Sequence, residues 1–438
     1  MIAASLAMPA LAWGAGTPAA PAIAIRNATV HTAAGPVLEK ATVVVRNGLI
    51  EAVGAGVAAP ADAWLIEAPG LHVYPGLTDG LSQWGMPQAA ARGATPQAGP
   101  ATSPPPPARG PEDRPATTSW LRAQDVLNPG ERSIAAARNA GFTTAVVFPV
   151  SGILGGLGAV VNLAGEKAGQ MTVAGSTAQH AALSVRGFSS FPGSVMGVIA
   201  YLRQVYLDAD AYAAEKAAYQ ANPRGARRPD YDRALEGVLE SPRLLLPAVW
   251  SKEIERMVSF GLELKRQPIL YGAHDAARSA GLLAQAGVPV LVSLKWPERA
   301  RDADPETEEP LRELELRDQA PGVPAALAKA GVRFGFYSGG VERPADLRAA
   351  VKKAVDAGLD REAAVRALTL SIAEIYGVAD RIGSIEAGKI ANLTVTDGDL
   401  FQKSTKIKFV VIDGIKHEPA PEAAPARPEA APSAGEDR

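Results

Sequence analysis

Few side chains in this sequence suit hydrolytic chemistry, and they are widely spaced. There is no cysteine, which excludes a thiolate nucleophile, a disulfide and cysteine-ligated zinc. The five histidines are His31, His72, His180, His274 and His417. His274 is followed directly by Asp275, and an imidazole beside a carboxylate can serve acid–base catalysis or metal binding. Asp79 ends a short apolar run, and the candidate catalytic residues are therefore Asp79, His274 and Asp275.

The stretch that must position Asp79 is residues 73–85, with the sequence Val-Tyr-Pro-Gly-Leu-Thr-Asp-Gly-Leu-Ser-Gln-Trp-Gly. An apolar approach meets a Pro-Gly turn, and a second apolar run leads to the acid, which is typical of a strand that enters a site. Further along, a helix over residues 133–140 runs into a buried strand over residues 141–148. Strands that alternate with helices in this way favour an α/β fold with parallel strands.

The two ends of the chain are rich in strand patterns. Residues 23–50 alternate in apolar character, and Asn47-Gly48 is a strong hairpin signal. Near the other end, residues 381–395 and 409–415 also read as turns and strands, with glycines suited to tight turns.

Three stretches of the sequence resemble the amidohydrolase superfamily, most closely its secreted, imidazolonepropionase-like branch. Residues 75–83 are similar to the P-G-x-x-D-x-H-x-H motif, residues 369–377 to T-x-N-P-A-x-x-x-G, and residues 383–395 to G-S-I-E-x-G-K-x-A-D-L-V-V. The resemblance implies a (β/α)8 TIM-type barrel with a small composite β-sandwich built from both chain ends. It assigns residues 73–382 to the barrel and residues 23–72 plus 383–418 to the sandwich.

In that family, histidines and an aspartate at strand ends hold a catalytic metal. The resemblance places other residues at those positions: Leu81, Gln83, Pro247, Tyr271 and Tyr337. It offers no placed ligand near the fourth strand, sought at residues 160–165, although Lys167 is close. Leucine and proline have no ligand atoms, and neutral tyrosine and glutamine bind zinc poorly. We therefore expect these five residues to line a pocket without a metal cofactor.

A metal-free nucleophilic site is an alternative. The resemblance places Ser82, Ser338 and His274 near the barrel mouth, so a Ser–His pair stays open, because a triad is recognised by geometry. Neither serine lies in a G-x-S-x-G motif.

Composition bounds the partners and the compartment. The net charge of −2 gives no overall field that would favour nucleic acid or an anionic membrane. Residues 1–22 are uncharged and Ala-rich with an A-x-A-like cleavage signal, so a signal peptide or a disordered leader is expected, with periplasmic or secreted localisation. No run suits a transmembrane anchor. Residues 86–118 form a Pro-rich insertion over or beside the mouth, and residues 419–438 a disordered tail.

The sequence thus predicts an amidohydrolase-like protein, by ancestry a hydrolase of carbon–nitrogen bonds. We expect metal-dependent catalysis to be lost and the protein to serve as a binding subunit or partner. The partner expected is an active amidohydrolase paralogue or a second copy, and the ligand a small amide. The alternative is an active hydrolase of cyclic amides, N-acyl amino acids or dipeptides, with zinc or another divalent metal in a rearranged site or with no metal.

Overall fold

The computed structural model describes residues 22–87, 110–185, 191–299, 302, 304, 306 and 308–420. The leader expected before Ala22, most of the Pro-rich insertion and nearly all of the expected tail lie outside the described residues. Of the helices described, none has both the length and the apolar character required to cross a bilayer.

Eighteen strands lie within the described residues. They are β1 (Ile23–Val30), β2 (Leu38–Arg46), β3 (Leu49–Gly54), β4 (Trp64–Glu67), β5 (His72–Pro75), β6 (Leu77–Ser82), β7 (Phe142–Val147), β8 (Leu154–Leu157), β9 (Ala159–Asn162), β10 (Thr172–Ala174), β11 (Gln179–Ala181), β12 (Arg243–Ala248), β13 (Gln267–Gly272), β14 (Val290–Ser293), β15 (Phe334–Tyr337), β16 (Leu393–Thr396), β17 (Ile407–Ile412) and β18 (Ile415–His417).

Twelve α-helices are found in the same residues. They are α1 (Ala123–Val126), α2 (Arg132–Asn139), α3 (Ala168–Met171), α4 (Val195–Ala221), α5 (Arg233–Leu239), α6 (Ser251–Glu263), α7 (Ala280–Ala286), α8 (Leu311–Gln319), α9 (Val323–Lys329), α10 (Leu347–Asp356), α11 (Arg361–Ala367) and α12 (Leu370–Tyr376). From β12 to β15, strands and helices alternate as the sequence pattern predicts.

One sheet combines strands from both ends of the chain. Its order is β18-β17-β16-β5-β1-β2-β3, and β4 pairs with the first half of β1. Its apolar face buries Ile25 and Val43 from the N-terminal strands together with Leu393 and Val411 from the C-terminal strands. Each end of the chain therefore covers apolar surface that the other end would otherwise expose to water.

The stretch that the sequence suggests as a single strand into the site is two strands. β5 pairs with β1 and β16, whereas β6 pairs with β7 in a different sheet. Gly76 lies between them, and a Cβ atom there would lie 1.9 Å from the Thr143 hydroxyl oxygen, so only glycine fits. The strand that carries Asp79 thus begins at Leu77, and Val73 belongs to the composite sheet rather than to the sheet of β6 and β7.

The remaining strands form a four-stranded sheet, β10-β9-β7-β6, and a six-stranded sheet, β15-β14-β13-β12-β11-β8. β11 to β15 run parallel, and so do β6 and β7, but β8 and β9 run antiparallel to their neighbours. Residues 148–158, which contain no helix, join β7 to its neighbour β9, and a parallel neighbour would need a longer crossover, usually with a helix. The fold is α/β with mixed sheets, in contrast to the all-parallel pattern of the expected (β/α)8 barrel.

These two sheets approach each other at both edges. Gly158 alone separates β8 from β9, and it exchanges hydrogen bonds of 2.9 Å with Ala178 and Thr177. At the opposite edge, the Ser338 amide donates to the Asp79 carboxylate at 2.8 Å. β6 therefore lies beside β15, although the ladder hydrogen bonds stay within separate sheets.

Candidate functional site

Five rings from different elements form a contiguous group beside Asp79, which we call the aromatic cluster: Phe148, His180, Tyr271, Tyr337 and Tyr376. Tyr271 links two of its neighbours, with ring centroids 5.5 Å from His180 and 6.2 Å from Tyr337. Phe148 links the others, at 6.0 Å from His180 and 6.1 Å from Tyr376. Such separations suit favourable aromatic packing. The cluster brings the ends of β7, β13 and β15 together with β11 and α12.

The tyrosine hydroxyl groups of the cluster are buried and held in the protonated form. Tyr271 donates to the carbonyl of Ala181 at 3.0 Å, and Tyr376 donates to the carbonyl of Gly80 at 2.7 Å. Burial raises the pKa of Tyr337 to about 12 and raises the pKa of Tyr271 and Tyr376 further. These side chains are therefore neutral at physiological pH, and Tyr271 and Tyr376 act as hydrogen-bond donors.

Asp79 is buried at the edge of the cluster. Its Oδ1 accepts the Ser338 amide, but its Oδ2 has no hydrogen-bond partner among the described residues. Burial raises the pKa of Asp79 to about 6, and hydrogen bonds from Ser338 and Ser82 limit the rise. A buried carboxyl group that titrates near neutral pH is suited to proton transfer or to binding a polar ligand.

His180, like Asp79, is buried, has a shifted pKa and has an atom without a hydrogen-bond partner among the described residues. It is buried in β11, stacks on Tyr271, and its Nδ1 has no partner among the described residues. Burial lowers the pKa of His180 to about 4, so the imidazole is neutral at pH 7. A buried ring nitrogen without a partner is costly, and such groups in native structures call for an explanation.

No feature of the sequence predicts a role for His180, and the fourth parallel strand does not lie at residues 160–165 as expected. The strand that pairs in parallel with β12 is β11, not the stretch at residues 160–165, which the structure includes in antiparallel β9. A strand of three residues is too short to show an alternating pattern. The only signal was a polar Gln-His pair between alanines.

The other pocket-lining residues predicted from the metal positions are distributed around the cluster. Leu81 is partly buried and packs against it, and Pro247 is the register neighbour of Tyr271. Gln83 is exposed, and its amide donates to the Phe148 carbonyl at 2.8 Å. These residues contribute apolar surface or are occupied by backbone contacts.

His274 and Asp275 are adjacent in sequence but turn towards different elements. His274 Nε2 lies 3.0 Å from the carbonyl of Ser293, at the end of β14, and burial lowers the pKa of His274. Asp275 instead accepts the backbone N–H of Ser251 at 3.0 Å, at the start of α6. The three candidate catalytic residues, Asp79, His274 and Asp275, therefore make no hydrogen bond with one another in the described part of the chain.

The serine alternative lacks a nucleophile–base contact in this conformation. Ser82 accepts the Trp84 amide at 3.2 Å, and Ser338 uses its amide to bond Asp79. His274 makes its hydrogen bond to Ser293 rather than to either serine within the described residues.

A metal does not fit the residues at the strand ends. Leu81 and Pro247 offer no donor atom, and the hydroxyl groups of Tyr271 and Tyr337 are protonated. Across the described ranges, no three His, Asp or Glu side chains are grouped so that they could hold an ion. The residues at these strand ends therefore provide no metal-dependent chemistry.

Residues 252–416, less than half of the chain, match the model of the Amidohydrolase family. No curated protein sequence matches the chain at a significant level.

Solved structures match over almost the whole length. The crystal structure of an amidohydrolase from Thermotoga maritima MSB8 is similar at 24% identity, covering 90% of this chain and 99% of that one, with a TM-score of 0.74. A prolidase complexed with N-methylphosphonate-L-proline is similar at 16% identity, covering 91% and 100%, with a TM-score of 0.52. Another amidohydrolase is similar at 15% identity, covering 92% and 100%, with a TM-score of 0.53. The chain has the fold of amidohydrolases.

Proposed function

We propose that this protein is an amidohydrolase-fold binding subunit that has lost metal-dependent hydrolysis and takes a small amide at the aromatic cluster. One observation carries the proposal. The strand ends where such an enzyme would hold its metal carry Leu81, Pro247, Tyr271 and Tyr337, which provide a wall for a ligand but no metal site.

The polar atoms left without partners suit recognition of an amide. Asp79 Oδ2 can accept an amide N–H when ionised and can donate to a carbonyl when protonated. The neutral His180 ring can likewise offer one donor and one acceptor. An amide has both a donor and an acceptor, so it can satisfy buried groups that the protein itself leaves unpaired.

We propose further that the two mixed sheets act together as a barrel with one reversed strand. The order β6, β7, β9 with β8, then β11 to β15, returns to β6 through the contact between Asp79 and Ser338. In such a barrel, the aromatic cluster would lie in the interior near the carboxyl ends of the parallel strands, where ligands bind.

A second candidate is an active hydrolase with a rearranged, metal-independent site. The observation in its favour is the pKa of Asp79, about 6, which suits a general acid or base near neutral pH. Its substrates would be cyclic amides, N-acyl amino acids or dipeptides, and the similarity to a prolidase makes dipeptides the first class to test.

As partner we propose an active amidohydrolase paralogue or a second copy of this chain, in the periplasm or outside the cell. The support is the retained fold without a metal site and the Ala-rich leader of the sequence. Cell fractionation and co-purification from the native host would test both statements.

The direct test is calorimetric titration of the purified full chain with dipeptides, N-acetyl amino acids, a dihydropyrimidine and an imidazolone, with product analysis in parallel. We expect binding without turnover, and at least tenfold weaker binding in the variant His180→Phe. The matched control is Tyr231→Phe, at an exposed tyrosine far from the cluster in sequence, which should leave the affinity unchanged. Turnover without metal that is lost in Asp79→Asn would replace this proposal with the second candidate.

A further inference from the structure

A second concavity lies outside the aromatic cluster, and we call it the outer cavity. It has a volume of about 270 Å³ and is lined by Trp250, Ser251, Asp275, Arg278, Arg312 and Leu316, among others. Trp250 and Ser251 follow β12, and Asp275 follows β13, so the cavity opens beside the carboxyl ends of two adjacent parallel strands. Ligands of α/β proteins commonly bind at this end of the strands.

Arg312 is the feature that indicates a ligand. Its guanidinium carbon lies 3.5 Å from the centroid of the Trp250 ring, in a cation–π contact. In the described part of the chain, this guanidinium forms neither an ion pair nor a hydrogen bond. Stacking occupies the face of the group and leaves the N–H donors at its edge available, which is the arrangement that binds a carboxylate through two parallel hydrogen bonds.

The other cations of the outer cavity are engaged in ion pairs. Arg278 lies between two acids, 3.1 Å from Asp275 and 3.3 Å from Glu315. Asp275 also accepts the Ser251 amide, as described above. Lys252 pairs with Glu255 at 2.8 Å. Among the described residues that line the cavity, Arg312 is therefore the cation without an ion pair.

The geometry points to a small organic monocarboxylate as the ligand, and we propose that the outer cavity binds one. The carboxylate would bind Arg312, and an apolar portion would lie against Leu316 and the Trp250 ring. A phosphate is a poorer match, because its second negative charge would lie near Asp275 and Glu315 while only one guanidinium is free to bind it. The volume accommodates roughly ten non-hydrogen atoms, the size of an N-acyl amino acid.

The molecule supplies a matched control. Arg233 stacks on Trp120 with its guanidinium carbon 3.9 Å from the ring centroid, and in the described residues it also lacks an ion pair. That pair lies on a broad, open groove elsewhere on the surface rather than in the outer cavity. Arg233→Gln and Arg312→Gln therefore remove the same cation–π contact at two places, and both positions are exposed.

The test is calorimetric titration of the full chain and both variants with 4-methylpentanoate, which has no amide group, its uncharged methyl ester, acetate and inorganic phosphate. We expect 4-methylpentanoate to bind the wild type and Arg233→Gln equally, and Arg312→Gln at least tenfold more weakly. The ester should bind the wild type at least tenfold more weakly than the carboxylate does, and phosphate should also bind more weakly than the carboxylate. Equal binding of carboxylate and ester, no binding to the wild type, or an unchanged Arg312→Gln affinity would overturn the proposal. His180→Phe should leave the binding of this amide-free carboxylate intact, which separates it from failure of the function proposed for the aromatic cluster.

Discussion

Asn392, at the edge of the composite sheet, and the strand ends around Asp79 differ in how their buried polar atoms are paired. Asn392, just before β16, donates to Asn162 at 2.7 Å and to Thr144 at 3.1 Å, and it accepts the Asp413 amide at 2.9 Å. Its side chain thus ties the composite sheet to β7 and β9 with its polar atoms paired. Around Asp79, by contrast, Asp79 Oδ2 and His180 Nδ1 are buried without partners in the described residues.

The contrast is between a polar side chain that supports the fold and polar atoms that the fold leaves without partners. A fully paired polar network in a low-dielectric interior stabilises and specifies a fold. Unpaired buried atoms cost stability, so those at the aromatic cluster call for an explanation. Binding of a ligand, as proposed above, would provide one.

The largest effect should come from removing the C-terminal half of the composite sheet. A chain that ends before Gly383 lacks β16 to β18, so it exposes the apolar residues of β1, β2 and β5 that Leu393 and Val411 cover. We expect loss of cooperative unfolding, measured by circular dichroism and limited proteolysis. Removal of residues 421–438 alone is the control and should leave the melting temperature unchanged. A cooperative melt of the shorter chain would mean that the N-terminal strands are stable by themselves.

Asn392→Ala tests the paired side of the comparison. It would leave the Asp413 amide and the Asn162 carbonyl oxygen without their partner, so we expect about 3 kcal/mol lower free energy of unfolding. Urea denaturation would measure it. The exposed Asn222, changed to Ala, should cost less than about 1 kcal/mol. Similar losses in both variants would show that the buried network has no special weight.

His180→Phe tests the unpaired polar atoms at the aromatic cluster through the pH dependence of stability. The folded protein lowers the pKa of His180 from 6.5 to about 4, so stability is complete above pH 6.5 and falls as the pH is lowered towards 4. Phenylalanine keeps the ring stacking but cannot bind a proton. We expect the variant to lose up to about 3 kcal/mol less than the wild type between pH 6.5 and 4, by chemical denaturation at each pH. Identical pH profiles would mean that His180 is solvated.

Asp79→Asn should change the dependence of stability on pH in the direction opposite to that of His180→Phe, and by a smaller amount. The folded protein raises the pKa of Asp79 from 3.8 to about 6, so its contribution favours folding below pH 3.8 and is lost as the pH rises to 6. Asparagine still accepts the Ser338 amide, but its NH₂ group replaces Oδ2 without a partner. We expect a gain of about 2 kcal/mol at pH 7, by chemical denaturation.

The control for this variant is Asp230→Asn, where the side chain is 95% exposed, and no change is expected. A loss of stability in Asp79→Asn at pH 7 would show that ionised Asp79 is favourable in the fold.

The fold was more accessible to sequence reasoning than the site. The apolar pattern predicted the helix over residues 133–140 and the buried strand that follows it, because periodicity is the strongest signal of secondary structure in a sequence. The split at Gly76 could not be predicted, because it depends on the side chain of Thr143, which lies far away in sequence. The antiparallel direction of β8 and β9 could not be predicted either, because the glycine-rich stretch that contains them resembles an ordinary turn.

At the site, the sequence shows which residue types are present but not which residues they contact. The resemblance assigned Leu81, Gln83, Pro247, Tyr271 and Tyr337 to the metal positions, and both that assignment and their role in binding stay predictions. His180 was missed because its strand has three residues, and the directions of His274 and Asp275 depend on Ser293 and Ser251, which pattern alone does not bring near.

The most direct test of the central claim is metal analysis of the purified protein after equilibrium dialysis against zinc, manganese and iron. We expect no retained metal equivalent in the wild type, and none in the double variant Leu81→His with Gln83→His, because Pro247, Tyr271 and Tyr337 supply no further ligands. One tightly held equivalent in the wild type, lost on replacing His274 or Asp79, would contradict it and indicate a relocated catalytic metal centre.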